Sequence, residues 1–215
     1  MLSSCRHDDG VGSIDEPQNE RSRATRAAIL DAAWELLEGS GGPAVTLSAT
    51  AKAAGVSRQG LYLHFASRGE LFRHLFDHVN QSLDLDASVR PVLEAPDSLA
   101  ALDAFADLVA TYHSRTISLI RAVDRCRFDD EDAAALWATA TTAWHEGCRS
   151  VTARLAAEGR LAEPWTELTA ADLMWSFMSA EFVAGMTIDR GWSVEELAER
   201  LRIVIRRALV RGGPT

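Results

Sequence analysis

The chain has 215 residues, 47% of them hydrophobic and 25% charged, with a formal net charge of −9. That length and composition admit one good-sized core, or a small head on a larger body, and exclude a disordered or fibrous chain. The acidic balance argues against a protein that coats nucleic acid indiscriminately. No stretch approaches the roughly 20 consecutive apolar residues of a membrane span, so no membrane partner is expected. Charge is uneven, however: residues 20 to 80 carry seven Arg or Lys against six acids, and most of the acidic excess falls after them. Such a head can offer one small cationic face to phosphate while the body repels it. Cys5, Cys126 and Cys148 are scattered and odd in number, which suits a reducing cytoplasm rather than a disulfide framework. Leu2-Ser3-Ser4-Cys5 looks like a lipoprotein cleavage site, but no basic segment or apolar run precedes it, and it is rejected.

In chain order, residues 1 to 20 mix Ser, Gly, Asp, Glu and Pro17 without an apolar period and read as a disordered tail. From Arg23 the stripe Ile29, Ala33 and Leu36, with Leu30 and Leu37 beside it, predicts a helix that Gly39, Gly41, Gly42 and Pro43 end. Thr46 opens a short helix to Ala54, Gly55 breaks it, and Ser57 starts another to about Phe65. Two helices of about two turns joined through a glycine are a helix-turn-helix pattern. Ser67 and Glu70 form a capping box for a connecting helix through Leu71, Leu75 and Val79, near residues 68 to 83.

Two long amphipathic helices come next. One repeats Leu102, Phe105, Val109, Tyr112, Thr116 and Ile120 over 98 to 123; the other repeats Trp137, Ala140, Trp144, Cys148, Val151 and Leu155 over 131 to 158. The segment Thr169 to Arg190 is apolar on more than one side, and a Ser193-x-x-Glu196 box launches a last helix through Ala208. A helix apolar nearly all round needs cover on two faces, which points to a homodimer sealed by this terminal pair. The residues expected at that interface are Leu173, Phe177, Leu197, Leu201, Val204 and Ile205.

The second short helix carries the chemistry. Ser57 can cap it, leaving Arg58 and Gln59 in the first turn to reach into a major groove, the one suited to guanine or phosphate and the other to adenine. Gly60 costs about 1 kcal/mol of helix propensity relative to Ala, which close approach of the backbone to DNA would justify. Tyr62 and His64 carry polar tips suited to phosphate, while Leu61 and Phe65 anchor inward.

Ile29-Leu30-Asp31-Ala32-Ala33, Leu36, Thr46, Ala53-Ala54-Gly55-Val56-Ser57, Leu61-Tyr62-Leu63-His64-Phe65, Ser67-Arg68 and Leu71 together resemble the DNA-binding head of the TetR family of bacterial regulators. The resemblance implies phosphate contacts at Thr46 and Arg68 as well. It also implies an all-α protein, with a three-helix DNA-binding head at 21 to 67 and a connecting helix plus effector-binding and dimerisation body at 68 to 215. Such a protein is a cytoplasmic regulator that binds double-stranded operator DNA as a homodimer. A repressor released by a small-molecule effector is the implied mode, without cofactor or enzyme activity. Ala49 and Thr50 depart from the family, which often has an acidic residue and Ile there.

Apolar pockets with a few polar groups suit aromatic ligands, and for the effector Tyr112, His113, Trp144 and Trp175 are the candidates, against ordinary core packing. His74 with His78, and His145 with Cys148 and His113, offer metal-binding side chains, but no convincing ligand set emerges and none is assigned. Cys126 and Cys148 read as inert thiols. No nucleophile–base pattern, phosphate loop or paired carboxylates appear, leaving a helical-bundle enzyme, or DNA binding without an effector, as the alternatives.

Overall fold

The computed structural model describes residues 20–40 and 45–212. The tail expected at the N-terminus lies outside them except for Glu20, which opens the first helix. Among the described residues the protein is all-helical: α1 (Glu20–Ser40), α2 (Leu47–Ala53), α3 (Arg58–Tyr62), α4 (Arg68–Ser82), α5 (Leu85–Leu93), α6 (Ser98–Cys126), α7 (Glu131–Ala157), α8 (Glu167–Phe177), α9 (Ala180–Ala184) and α10 (Val194–Leu209). A π-helical turn, Gly185–Asp189, continues α9. An isolated bridge, Leu161 to Val210, is the one extended pairing among the described residues.

Helix starts follow side-chain chemistry. Thr46, Ser57, Ser67, Asp84, Asp97, Asp130, Thr166, Ser179 and Ser193 each accept a backbone N–H of the first turn they precede. Two of these caps correct the sequence reading. Ser179 splits the expected single helix 169–190 into α8 and α9, and Asp84, in the left-handed conformation at φ 47°, starts an unexpected short helix, although Leu85, Val89 and Val92 recur on its core-facing side. Helix α5 is held from outside itself: Arg154 of α7 donates to the carbonyls of Val92 and Ala95 at its C-terminal end, at 3.1 and 2.7 Å.

The apolar stripes close two cores. Ile29, Leu37, Leu61, Phe65, Leu71, Phe72 and Leu75 form the head core, and it extends into the body through Leu119, Val123 and Ala133. The body core gathers Leu102, Phe105, Val109 and Tyr112 of α6, Cys148, Val151 and Leu155 of α7, Met174 of α8 and Leu197, Leu201 and Ile205 of α10. Arg202 and Arg206 of α10 pair with Asp107 and Asp103 of α6, at 2.5 Å each, beside that seam. Burial of Leu197, Leu201 and Ile205 corrects the expected interface: these side chains face α6 of their own chain and are unavailable to a partner. The exposed apolar residues on these helices are Leu168, Trp175 and Phe177 of α8 and Ile203 and Val204 of α10, with Leu173 half-buried.

Candidate nucleic-acid interface and body site

Helix α3 is one and a half turns long and depends on its cap, the Ser57 hydroxyl accepting the Gly60 amide at 2.9 Å. A Cβ on Gly60 would stand 3.1 Å from that hydroxyl oxygen, so the glycine serves the cap geometry as well as any close approach. Leu61 and Phe65 are fully buried beneath it, which turns Ser57, Arg58, Gln59, Tyr62 and Leu63 outward. Arg58 lies along Tyr62: its guanidinium carbon is 5.7 Å from the ring centroid and Nη2 donates to the phenol oxygen at 3.4 Å. Arginine, amide and phenol thus share one exposed surface, a set able to bond base edges and phosphates.

The other expected DNA-facing residues divide. Thr46 is exposed and caps α2 through the Ala49 amide at 3.1 Å, without the reciprocal bond that an acid at 49 would add. His64 is half-buried; burial first and the Arg26 charge second push its pKa down. Arg26 donates to the His64 carbonyl at 3.2 Å and lies 4.7 Å from the centre of the Phe65 ring, locking α1 to the end of the motif. Arg68 opens α4 half-buried, close enough to Cys126 to oppose the rise that burial imposes on that thiol.

In the body, α6 and α7 approach closely at Gly147, where a Cβ would be 3.3 Å from the Phe105 ring. That approach brings four rings together: Phe105 and Trp144 at 5.4 Å, Tyr112 and Trp144 stacked at 6.3 Å, and His113 and Trp144 at 4.5 Å. The Tyr112 hydroxyl donates to Asn80 Oδ1 of α4 at 2.7 Å, joining this cluster to the connecting helix. Desolvation pushes the Tyr112 pKa up to about 12 and the His113 pKa down to about 4; the Met178 backbone near the imidazole partly opposes the latter. An open cleft of about 260 Å³ adjoins it, lined by Leu83 of the α4 end, Pro91 of α5, and Ala104, Leu108, Thr111, Tyr112 and Arg115 of α6. A second, of about 390 Å³, shares Leu83 and Arg115 and is bounded by Trp34 of α1. Three of the four expected effector residues therefore meet. Trp175 does not join them, lying on the exposed side of α8. Leu83, Pro91 and Leu108 escape a reading of the sequence because their signal is position at a helix junction rather than residue type.

The candidate metal pairs are otherwise engaged. His78 bonds Asp31 across α1 and α4 at 2.7 Å, His145 bonds Asp172 across α7 and α8 at 2.8 Å, and no group of three metal-binding side chains occurs among the described residues. Cys148 is fully buried with its pKa raised to about 12, and burial raises that of Cys126.

A capped two-helix motif on a three-helix head, standing on a larger helical body, defines a helix-turn-helix protein. Residues 29–75 match the family model for bacterial regulatory proteins of the tetR family, which covers the head and the start of the connecting helix. The nucleoid occlusion factor SlmA of Marinomonas sp. (strain MWYL1) is 32% identical over 96 residues, 45% of this chain and 48% of that protein. The HTH-type transcriptional regulator TtgR of Pseudomonas putida is 31% identical over 117 residues, 52% of this chain and 55% of that one. The chain spans about half the length of these curated relatives. The crystal structure of NalD, the secondary repressor of a multidrug efflux pump in Pseudomonas aeruginosa, superposes with a TM-score of 0.67 at 25% identity, over 91% of this chain and 100% of NalD. No described helix is long and apolar enough to cross a membrane.

Proposed function

We propose that the protein is a DNA-binding transcriptional regulator of the repressor type, which binds a near-palindromic operator as a homodimer and is released by a small apolar or aromatic effector held in the body. The observation that carries this reading is the Ser57-capped α3, with Arg58, Gln59 and Tyr62 exposed together above a buried Leu61 and Phe65. Two copies of that surface in successive major grooves, about 34–36 Å apart, would read a site with two-fold symmetry. In support of the dimer, Trp175, Phe177, Ile203 and Val204 form exposed apolar surface on α8 and α10, which a second subunit would cover. In support of the effector, the ring cluster reaches α4 through Tyr112 and Asn80, so a ligand that prefers one arrangement of that contact would shift the heads. Neighbouring regulators such as NalD, and the triclosan complex of SmeT among similar folds, accord with this mode.

Selection of bound sites from random duplex DNA tests the reading, followed by titration of the winner across salt. A palindromic sequence bound by dimers with a steep salt slope is the expected result. No enrichment above random sequence with a folded protein would refute it.

A further inference from the structure

Nδ1 and Nε2 of His113 and Nε1 of Trp144 are buried polar atoms of the body that no well-formed hydrogen bond satisfies, the Met178 backbone lying near the imidazole. Each is costly to leave so, and together they mark a place built to receive a polar group. His113 is 6% exposed and its ring centroid lies 4.5 Å from that of Trp144, so the two rings are in contact. Burial keeps the imidazole neutral, so one of its nitrogens donates and the other accepts, while the indole only donates. A hydroxyl complements that set, accepting from the indole N–H and donating to the imidazole. No charged group contributes to the shift of the imidazole, so the pair itself offers an ionic group no counter-charge. The faces of Phe105, Tyr112 and Trp144 around it suit a flat ring.

Tyr112 separates this pair from the surface. Its ring lines the 260 Å³ cleft and stacks on Trp144, and its hydroxyl holds Asn80 of α4. We propose, resting on the reading of the body as an effector domain, that His113 and Trp144 anchor the hydroxyl of a small uncharged phenol. The phenol enters from the cleft by displacing the Tyr112 ring, and Tyr112 thereby releases Asn80 on the connecting helix. The hydroxyl selects the ligand, and the lost Tyr112–Asn80 bond reports its arrival to the head.

Calorimetric titration of the full chain with naphthol, naphthalene and naphthoate tests this, since one ring system carries in turn a hydroxyl, nothing and a carboxylate. Naphthol is expected to bind at least about tenfold more tightly than either other probe. Trp144→Phe and His113→Phe should each shrink that preference to about threefold or less, with naphthalene affinity little changed. Equal affinity for naphthol and naphthalene, preference for naphthoate, no binding of any probe, or a preference that survives both substitutions would overturn the proposal. If a ring exchange unfolds the body, Tyr112→Phe gives the answer: it keeps the ring, removes the bond to Asn80, and should bind naphthol several-fold more tightly. Unchanged or weaker binding by that variant would overturn the gate. Operator affinity measured alongside separates the two levels. Naphthol selectivity without an operator effect would leave the phenol site standing and remove its link to the head; operator binding without selectivity would remove the site and leave the DNA-binding reading intact.

Discussion

The Asp130 carboxylate accepts two helix-terminal amides at once, Ala133 of its own α7 at 3.0 Å and Gly69 of α4 at 3.2 Å. Ser67, which caps α4, also donates to Asp132 at 2.5 Å, so the N-termini of the two helices share their caps. Helix ends this close exclude a side chain between them: a Cβ on Gly69 would stand 2.8 Å from the Ala133 amide nitrogen. Gly69→Ala is expected to destabilise the fold by about 1–3 kcal/mol. Urea denaturation checks this, and an unchanged midpoint would mean that α4 slides freely on α7.

Thr50 sits fully buried in the head with its hydroxyl unpartnered. Thr50→Val keeps the shape and removes the orphaned group, and a gain of about 1–2 kcal/mol should result. A loss in thermal denaturation would show that the hydroxyl is bonded in solution.

Exposed and buried positions of the terminal helices should respond differently to charge. Trp175→Glu with Val204→Glu is expected to yield folded monomers, whereas Leu201→Glu should unfold the body, because Leu201 packs inside its own chain. Analytical ultracentrifugation with circular dichroism distinguishes these. Dimers of the double variant persisting at low micromolar concentration would place the interface elsewhere.

Acid should weaken the fold through His113. Its folded pKa, about 4, lies below its ordinary 6.5, so the unfolded chain takes up the proton first as pH falls. Stability from this group is whole above pH 6.5 and declines between 6.5 and about 4. The loss can reach about 3 kcal/mol, from roughly 1.4 kcal/mol per pKa unit. His113→Phe should flatten that part of the pH profile relative to the parent; parallel profiles would mean that the imidazole is not buried neutral.

On DNA, Arg58→Ala is expected to weaken operator binding by about 1–3 kcal/mol, and Gln59→Ala to change preference at one base position. Tyr62→Phe with Arg68→Ala should weaken binding to every sequence and flatten the salt dependence. An identical ranking of operator variants with Gln59→Ala would place that side chain outside the groove.

The head was legible because its signals are local. Ser57, Gly55 and the Leu61–Phe65 pair set the motif within about ten residues, and capping chemistry fixed the starts of α2, α3 and α4. The body was less so. Apolar period found α6, α7 and α10, but period cannot say which neighbour covers a stripe, and Leu197, Leu201 and Ile205 proved to face α6 rather than a second subunit. Asp84 and Ser179 do not stand out as helix starts because α5 is short and carries Pro91 inside it, and α9 follows α8 within one continuous apolar segment. In the candidate site, Tyr112, His113 and Trp144 stood out by residue type, whereas the bond from Tyr112 to Asn80 spans 32 residues and no sequence pattern reports it.

The paired aspartates of α6 and arginines of α10 act as an indexing device. Asp103 with Arg206 and Asp107 with Arg202 are matched at four-residue spacing on antiparallel helices, so a slip of one turn, about 5.4 Å, would leave a charge unmatched at each end. Rotation of α10 would break both pairs together. The arginines thereby determine which way Ile203 and Val204 point, and the proposed second subunit would meet a surface whose orientation is decided before contact rather than by it.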